Sequence, residues 1–229
     1  GAHTYAIYAN ALNQAFRNHE RRLGRGCTSH MSAVDAEGNM VALTYTLLNR
    51  FGSKVMLPST GILMNNSVSY FDPRPGYPTT MEGHKRINAS NMCPTLCVRD
   101  NQALFAVGAS GANHIVPCTL QITAFLLDYG ISLEDAFNLP RIDAGGRQSI
   151  RVDPALGDDV ITALSQEFEL EIAQNLVYPK LFSCPSGVSR DPQTGATQGV
   201  ADKANPVAGA VAEGLFEVDS SQLSVGVRA

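Results

Sequence analysis

Thr28 stands between a Gly-Arg-Gly-Cys run and an alternating apolar stretch, in "GRGCTSHMSAVDAEGNMVALTYTL". A threonine hydroxyl is a poor nucleophile until a base takes its proton. Cleavage of the chain before Thr28 would supply that base, because the new α-amine has a pKa of about 7.7–8.0. The glycines ahead of Cys27 give the hydroxyl freedom to reach the Cys27 carbonyl. A first residue of a strand would need no such chemistry, and the local sequence leaves both readings open.

The second candidate is "GASGA", Gly108 to Ala112, between a strand pattern and a helix pattern. It departs by one residue from the Gly-x-Ser-x-Gly nucleophile elbow. An elbow serine needs a histidine later in the chain. Of His3, His19, His30, His84 and His114, only His114 follows Ser110, four residues on and at the start of the same helix. The elbow reading fails on that order. A small-residue turn at a helix start also leaves backbone N–H groups facing outward, where negative charge is stabilised. Such a turn can serve as an oxyanion hole or simply as a tight turn. No Lys-Ser/Thr follows the glycines, which argues against a phosphate loop.

The bulk composition narrows the partners. The 229 residues suffice for one large domain, and 44% apolar with 17% charged residues is ordinary for a globular protein. A net charge of −4 gives no electrostatic reason to expect nucleic acid or an anionic membrane. No run of about 18 apolar residues reads as a membrane span, and no basic-then-apolar run reads as a signal peptide. The five cysteines, Cys27, Cys93, Cys97, Cys118 and Cys184, form no regular framework. Cys93 and Cys97 share a strand face but lack a His or second Cys pair to complete a zinc set. No metal and no cofactor is expected.

The elements that must position these residues follow from periodicity. Tyr5, Tyr8, Leu12, Phe16 and Leu23 recur at helical spacing, which predicts a helix from Tyr5 to Leu23 stopped by Gly24. "SHMSAV" and "MVALTYTL" predict a hairpin turning at "DAEGN", and "GILMNN" a further short strand. The Pro- and Gly-rich stretch from Asp72 to Met92 reads as a long functional loop. "TLCVRDNQALFAVG" predicts a second hairpin, followed by a buried helix closed by Gly130. Ser132 with Asp135 three residues on marks the start of another helix, and "DDVITALSQEFE" a third. Strands are expected at "LFSCPSGVSRD", "ATQGVAD" and "VAGAVAE". Strands, then helices, then strands favour an α+β fold with mainly antiparallel sheets.

Taken in order, "TSHMSAVDAEGNMVALTYTLLNRFGS", "TGILMNN", "HKRINASNMCPTL", "VGASGANH" and "DYGISLEDAFNLPRI" resemble the small subunit of γ-glutamyltransferases (γ-glutamyltranspeptidases). The resemblance runs from Gly26 to Ala212. It implies an N-terminal-nucleophile (Ntn) hydrolase αββα sandwich whose precursor cleaves itself before a threonine that becomes catalytic. It further implies two segments: residues 1–27 as the end of a large-subunit-like region with the Cys27–Thr28 cleavage site, and residues 28–229 as the small-subunit-like catalytic domain. The large-subunit segment of the same precursor is then the expected partner.

Position by position, the resemblance implies that Thr28 is the nucleophile and Thr46 the threonine that orients it. Gly111 and Ala112 fall on the two oxyanion-hole glycines; Ala112 keeps its N–H, so the hole survives if its φ is negative. Ser90 and Asn91 fall on two serines that bind the substrate α-carboxylate. The residues that hold the substrate α-ammonium in the family are replaced by Leu48, Ser67 and Tyr70, so its anionic partner is missing. The implied activity is amide hydrolysis or acyl transfer through an acyl-enzyme, on γ-glutamyl or related small-molecule amides. An acylase for glutaryl or other acyl groups, or a catalytically dead homologue, are the alternatives.

Overall fold

The computed structural model describes residues 1–17, 27–71, 74, 91–145, 149–176 and 180–212. Helix α1 (Ala2–Arg17) is followed by an antiparallel hairpin of β1 (Thr28–Val34) and β2 (Met40–Thr46). Next come β3 (Thr95–Arg99) and β4 (Gln102–Ser110), then α2 (Ile115–Asp128) and α3 (Leu133–Asn138). The short strands β5 (Ile142–Asp143) and β6 (Ile150–Val152) precede α4 (Asp158–Ser165) and β7 (Leu170–Ile172). The described part closes with β8 (Cys184–Arg190) and β9 (Thr197–Ala201).

Three sheets result: the β1–β2 hairpin, a four-stranded β3-β4-β8-β9 sheet, and a three-stranded β5-β6-β7 sheet. All pairings are antiparallel except β6–β7. Strand alternation makes β4 two-faced. Phe105, Val107 and Ala109 enter a core with Ile115, Cys118 and Ile122 of α2 and with Leu133 and Phe137 of α3. The opposite face carries Ala106, Gly108 and Ser110, and there the hairpin docks. A Cβ at Gly108 would fall inside the His30 ring, so only glycine lets β1 approach this closely. Helix, sheet and hairpin thus stack in layers.

A second core joins α1 to α4 and the small sheet. Tyr5, Tyr8, Ala9 and Leu12 pack with Phe125, Ile142, Ile150, Val152 and Leu164. Tyr5, Tyr8 and Phe125 meet edge-to-face with centroids 6.1–6.5 Å apart. The Tyr5 hydroxyl donates to the Pro140 carbonyl at 2.9 Å.

Both predicted hairpins, the Ser132 cap and the helices α2 and α3 form as read, while the helix read over "DDVITALSQEFE" forms as α4 but ends at Ser165. Ser132 Oγ accepts from the Asp135 N–H at 3.1 Å and donates to its carboxylate at 2.7 Å. Asp100 and Asn101 take φ of 51° and 62°, the type I′ geometry that a tight hairpin requires. Helix α1 is described to Arg17, and the rest of its predicted span, to Leu23, lies outside the described residues. Most of the Asp72–Met92 loop also lies outside them.

Two strands do not form. "GILMNN" makes one isolated bridge, Met56 to Leu63, because its remaining backbone bonds close turns such as Gly61 N–H to Leu57 O. Val207–Ala212 of "VAGAVAE" runs without ladder partners beyond β9. The small β5-β6-β7 sheet was not expected. Its strands of two or three residues are too short to show a period.

Candidate active site

The hairpin register places Thr28 opposite Thr46 and His30 opposite Thr44. All four share the inner face with Ser32, because side chains alternate along each strand. The Thr28 hydroxyl donates to Thr46 Oγ1 at 3.2 Å. Thr46 in turn donates to the Cys27 carbonyl at 3.1 Å and accepts from the Leu48 N–H at 2.9 Å. A hydroxyl has one proton, so the Leu48 contact and the Thr28 contact both fix Thr46 Oγ1 as acceptor and leave its proton for Cys27.

The Cys27 carbonyl therefore has two donors, Thr46 Oγ1 and the Leu47 N–H at 3.3 Å. The Cys27 N–H donates to Leu48 O at 3.0 Å, which holds this peptide in the continuation of the ladder. Leu48 takes a left-handed φ of 69°, and that bend aims both its N–H and its carbonyl at the junction. Its side chain is only 4% exposed, so its contact with the site is through the backbone.

His30 extends the polar face. Its Nδ1 lies 2.7 Å from Thr44 Oγ1 and its Nε2 2.9 Å from Ser32 Oγ. Burial against Gly108 lowers its pKa to about 4, so the ring is neutral at neutral pH. Ser186 Oγ donates to the His30 carbonyl at 3.2 Å and fastens β8 to β1. A cavity of about 510 Å³ opens beside this seam, with Ser29, His30, Ser110, Cys184 and Ser186 in its wall. Thr28 does not line it. The cavity brings the strand that carries Thr28 alongside Ser110, the residue preceding the candidate oxyanion turn.

That turn is a 3-10 segment, Ala112–His114, with Gly111 at its N-terminal end and no side-chain cap. Its leading N–H groups have no intrahelical acceptor. Gly111 has φ 137° and Ala112 φ 54°, so the negative φ set as the condition for the hole at Ala112 is not met, and its N–H is presented from a glycine-like backbone instead. The alanine holds a left-handed backbone that glycine would adopt freely, at a cost of about 1 kcal/mol. Ser183 braces the turn: its Oγ donates to Ser110 O at 2.6 Å, and a Cβ on Gly111 would meet the Ser183 Cα at 2.9 Å.

Behind the turn His114 Nδ1 lies 2.8 Å from Asp143 Oδ2, which also receives Arg151 at 3.5 Å. Arg151 is 2% exposed, pairs with Glu171 at 3.0 Å and donates to Leu181 O at 3.1 Å. His114 is thus committed to Asp143 and not to Ser110, in keeping with the exclusion of the serine elbow.

The other expected binding residues are distributed unevenly. Asn66 bonds Leu47 O at 3.2 Å and accepts from the Asn49 N–H at 3.0 Å, which brings the Ser67–Tyr70 turn to the end of β2. Leu48, Ser67 and Tyr70 therefore share one region with Thr46. Asn91 is buried, at 6% exposed, and Ser90 lies outside the described residues. Sequence reasoning missed His30, Ser183 and the Asp143–Arg151 pair. The two-residue spacing from Thr28 could have flagged His30, whereas nothing local announces Ser183, Asp143 or Arg151.

Known proteins resemble this chain in sequence and in fold. Relatives include the acylase ACY 1 proenzyme of Pseudomonas sp. (strain V22), 36% identical over 137 residues, covering 60% of this chain and 24% of that protein. The glutathione hydrolase proenzyme of Bacillus subtilis (strain 168) is 32% identical over 140 residues, covering 61% of this chain and 24% of its own. The chain spans about a quarter of the length of these curated relatives. Its fold matches the γ-glutamyltranspeptidase of Pseudomonas nitroreducens complexed with L-DON, with a TM-score of 0.62 and 24% identity over 81% of this chain and 100% of that one. The layered fold is that of the Ntn hydrolases. The family model for gamma-glutamyltranspeptidase matches residues 5–212, and the chain belongs to that family.

Proposed function

We propose that the full-length protein is a γ-glutamyltransferase-like amidohydrolase or acyltransferase that cleaves itself before Thr28 and then uses Thr28 as its nucleophile. The observation that carries this reading is the pair of donors on the Cys27 carbonyl, with the Thr28 hydroxyl linked to one of them. The Leu47 N–H continues the ladder, as in any strand, but the Thr46 hydroxyl that links Cys27 O to the Thr28 hydroxyl is a bond that strand pairing does not require.

In the uncut chain Thr28 Oγ1 attacks the Cys27 carbonyl carbon. Its proton passes toward Thr46, while Thr46 and the Leu47 N–H stabilise the charge that develops on the carbonyl oxygen. The C–N bond breaks, the amine of Thr28 takes a proton, and water hydrolyses the resulting ester. The cut divides the chain into 1–27 and 28–229, the first belonging with the large-subunit segment that is the partner. The freed α-amine then serves as base for Thr28 against a substrate amide. Gly111 and Ala112 N–H groups receive the oxyanion, and water or an amine resolves the acyl-enzyme. Ser90 and Asn91 are proposed to bind the carboxylate of the acyl group.

Denaturing mass spectrometry on the full-length protein tests the first step. Two pieces divided between Cys27 and Thr28 are expected for the wild type and one piece for Thr28→Ala. An uncut yet active wild type would overturn the proposal.

A second reading, an acylase for glutaryl-type groups, is favoured by Leu48 and Ser67, which offer a substrate ammonium no anion. An ammonium paired with a carboxylate gains roughly 1.5–3 kcal/mol. Without that pairing, kcat/KM for γ-glutamyl and glutaryl anilides should be similar. A strong γ-glutamyl preference would count against it.

A further inference from the structure

Lys180 and Cys184 make the shortest nitrogen–sulfur contact among the described side chains, Nζ to Sγ at 2.6 Å. Although sulfur is larger than oxygen, this is shorter than the roughly 2.7–3.2 Å of an ordinary N–H···O hydrogen bond. We propose that these two residues form a reversible oxygen-bridged lysine–cysteine cross-link, Nζ–O–Sγ, when the protein meets a peroxide. The inference leans on the proposed active site only for its consequence, since the cross-link itself is chemistry of two side chains.

Three observations support it. The pair is pre-positioned: Arg151 holds Leu181 O at 3.1 Å, and Cys184 is fixed in register opposite Ser110 as the first residue of β8. Cys184 forms part of the wall of the 510 Å³ cavity, which gives a small oxidant a route to this residue although it is only 6% exposed. All five cysteines are free, and the close hydrogen-bonding partner of Cys184 is Lys180. Burial raises the thiol pKa, and the Lys180 hydrogen bond and charge partly offset this, with Asp202 acting against them. Oxidation should therefore be slow at neutral pH and quicken in mild alkali, where more thiolate is present.

The chemistry balances with two equivalents of hydrogen peroxide. The Cys184 thiolate takes one peroxide oxygen, the O–O bond breaks, and sulfenic acid and water form. After Lys180 has given its extra proton to water, its amine takes an oxygen from the second peroxide and becomes a hydroxylamine, again releasing water. The hydroxylamine oxygen then attacks the sulfenic sulfur, forming the O–S bond and expelling a third water. Sulfur and nitrogen each lose two electrons, and the two peroxides accept them. Thiol reductants return the amine and the thiol.

The bridge would act on the active-site turn. Segment 180–184 reaches that turn through Ser183, whose Oγ holds Ser110 O and whose Cα leaves no room beside Gly111. Cross-linking both ends of the segment fixes Ser183 against the turn, so oxidation and turnover should be coupled.

The test is peptide mapping of the full-length protein after graded hydrogen peroxide, with and without a thiol reductant. A bridge blocks trypsin at Lys180. Residues 152–190 should then appear as one peptide carrying one added oxygen and lacking two hydrogens, and reductant should restore the two ordinary peptides. Lys180→Arg and Cys184→Ser should each abolish the species, and Thr28→Ala should leave it intact, which separates this result from the fate of the proposed catalysis. A sulfinic acid on Cys184 with free Lys180, a direct N–S bond lacking the oxygen, or persistence of the species in Lys180→Arg would each overturn the proposal.

Discussion

Thr46 is the residue on which the proposed chemistry converges, because one hydroxyl accepts from Thr28 and Leu48 and donates to Cys27. Thr46→Val keeps the shape and removes all three bonds. Turnover should fall roughly ten- to a thousand-fold, about 1.4–4 kcal/mol, and Thr46→Ser should recover most of it. Single-turnover rates on cleaved full-length protein measure this, and unchanged rates for the valine variant would reduce Thr46 to strand packing. Ala112 supplies a prediction of the opposite sign. Its φ of 54° suits glycine, so Ala112→Gly should relieve strain. A gain of about 1 kcal/mol would raise Tm by roughly 2–4 °C in a chain of this size. Thermal melts decide it, and a lower Tm would mean that the Ala112 methyl group packs better than its backbone suffers.

At the scale of elements, the hairpin stays on the sheet through one close approach, His30 over Gly108. Gly108→Ala would push a methyl group into the imidazole, and overpacking of that kind costs about 1–3 kcal/mol. His30→Ala in the same chain should recover part of the loss, and a double-mutant cycle in denaturant reads the coupling. The ring also sets a pH dependence. Its folded pKa, near 4, lies below the unfolded value of 6.5, so the unfolded chain binds the proton first as pH falls. The stability due to neutral His30 is complete above about pH 6.5 and is lost progressively down to about pH 4. After allowance for partial exposure the loss is on the order of 1–2 kcal/mol. His30→Gln should flatten that limb of the stability–pH curve, and an unchanged curve would show that another group governs it. The same hairpin shows what local sequence carries. Alternation and the "DAEGN" turn specify β1 and β2, and alternation with the register set by that turn places Thr28, His30, Thr44 and Thr46 on one face. The β5-β6-β7 sheet was not legible because strands of two or three residues have no period, and tertiary pairing alone makes them strands. "GILMNN" shows the reverse, a strand-like composition whose carbonyls and amides are taken up by turns.

For the molecule as a whole, a cluster of buried charges adds polar ties between elements that lie far apart in the sequence. Arg151 on β6 touches Asp143 on β5, Glu171 on β7 and the Leu181 carbonyl, and Asp143 reaches His114 at the start of α2. The small sheet, the candidate oxyanion turn and the segment leading into β8 therefore share one ion cluster. No sequence window contains it, since its members lie between 8 and 37 residues from Arg151, and charge at buried positions carries no periodic signature. Its energetics are asymmetric. Glu171 is 43% exposed on its side chain, so Glu171→Gln should cost only about 0–1 kcal/mol. Arg151→Met removes the cation facing Asp143, which is 1% exposed and whose Oδ1 already has no hydrogen-bond partner among the described residues. Breaking a buried pair on one side costs about 3–5 kcal/mol, because the remaining charge stays desolvated. Adding Asp143→Asn to Arg151→Met removes that charge too, and the double variant should be more stable than the single one. Urea unfolding of the three variants orders them: Glu171→Gln near the wild type, the double variant between, Arg151→Met lowest. If Arg151→Met instead unfolds alongside Glu171→Gln, Asp143 is not held by Arg151, and the cluster does not brace the turn.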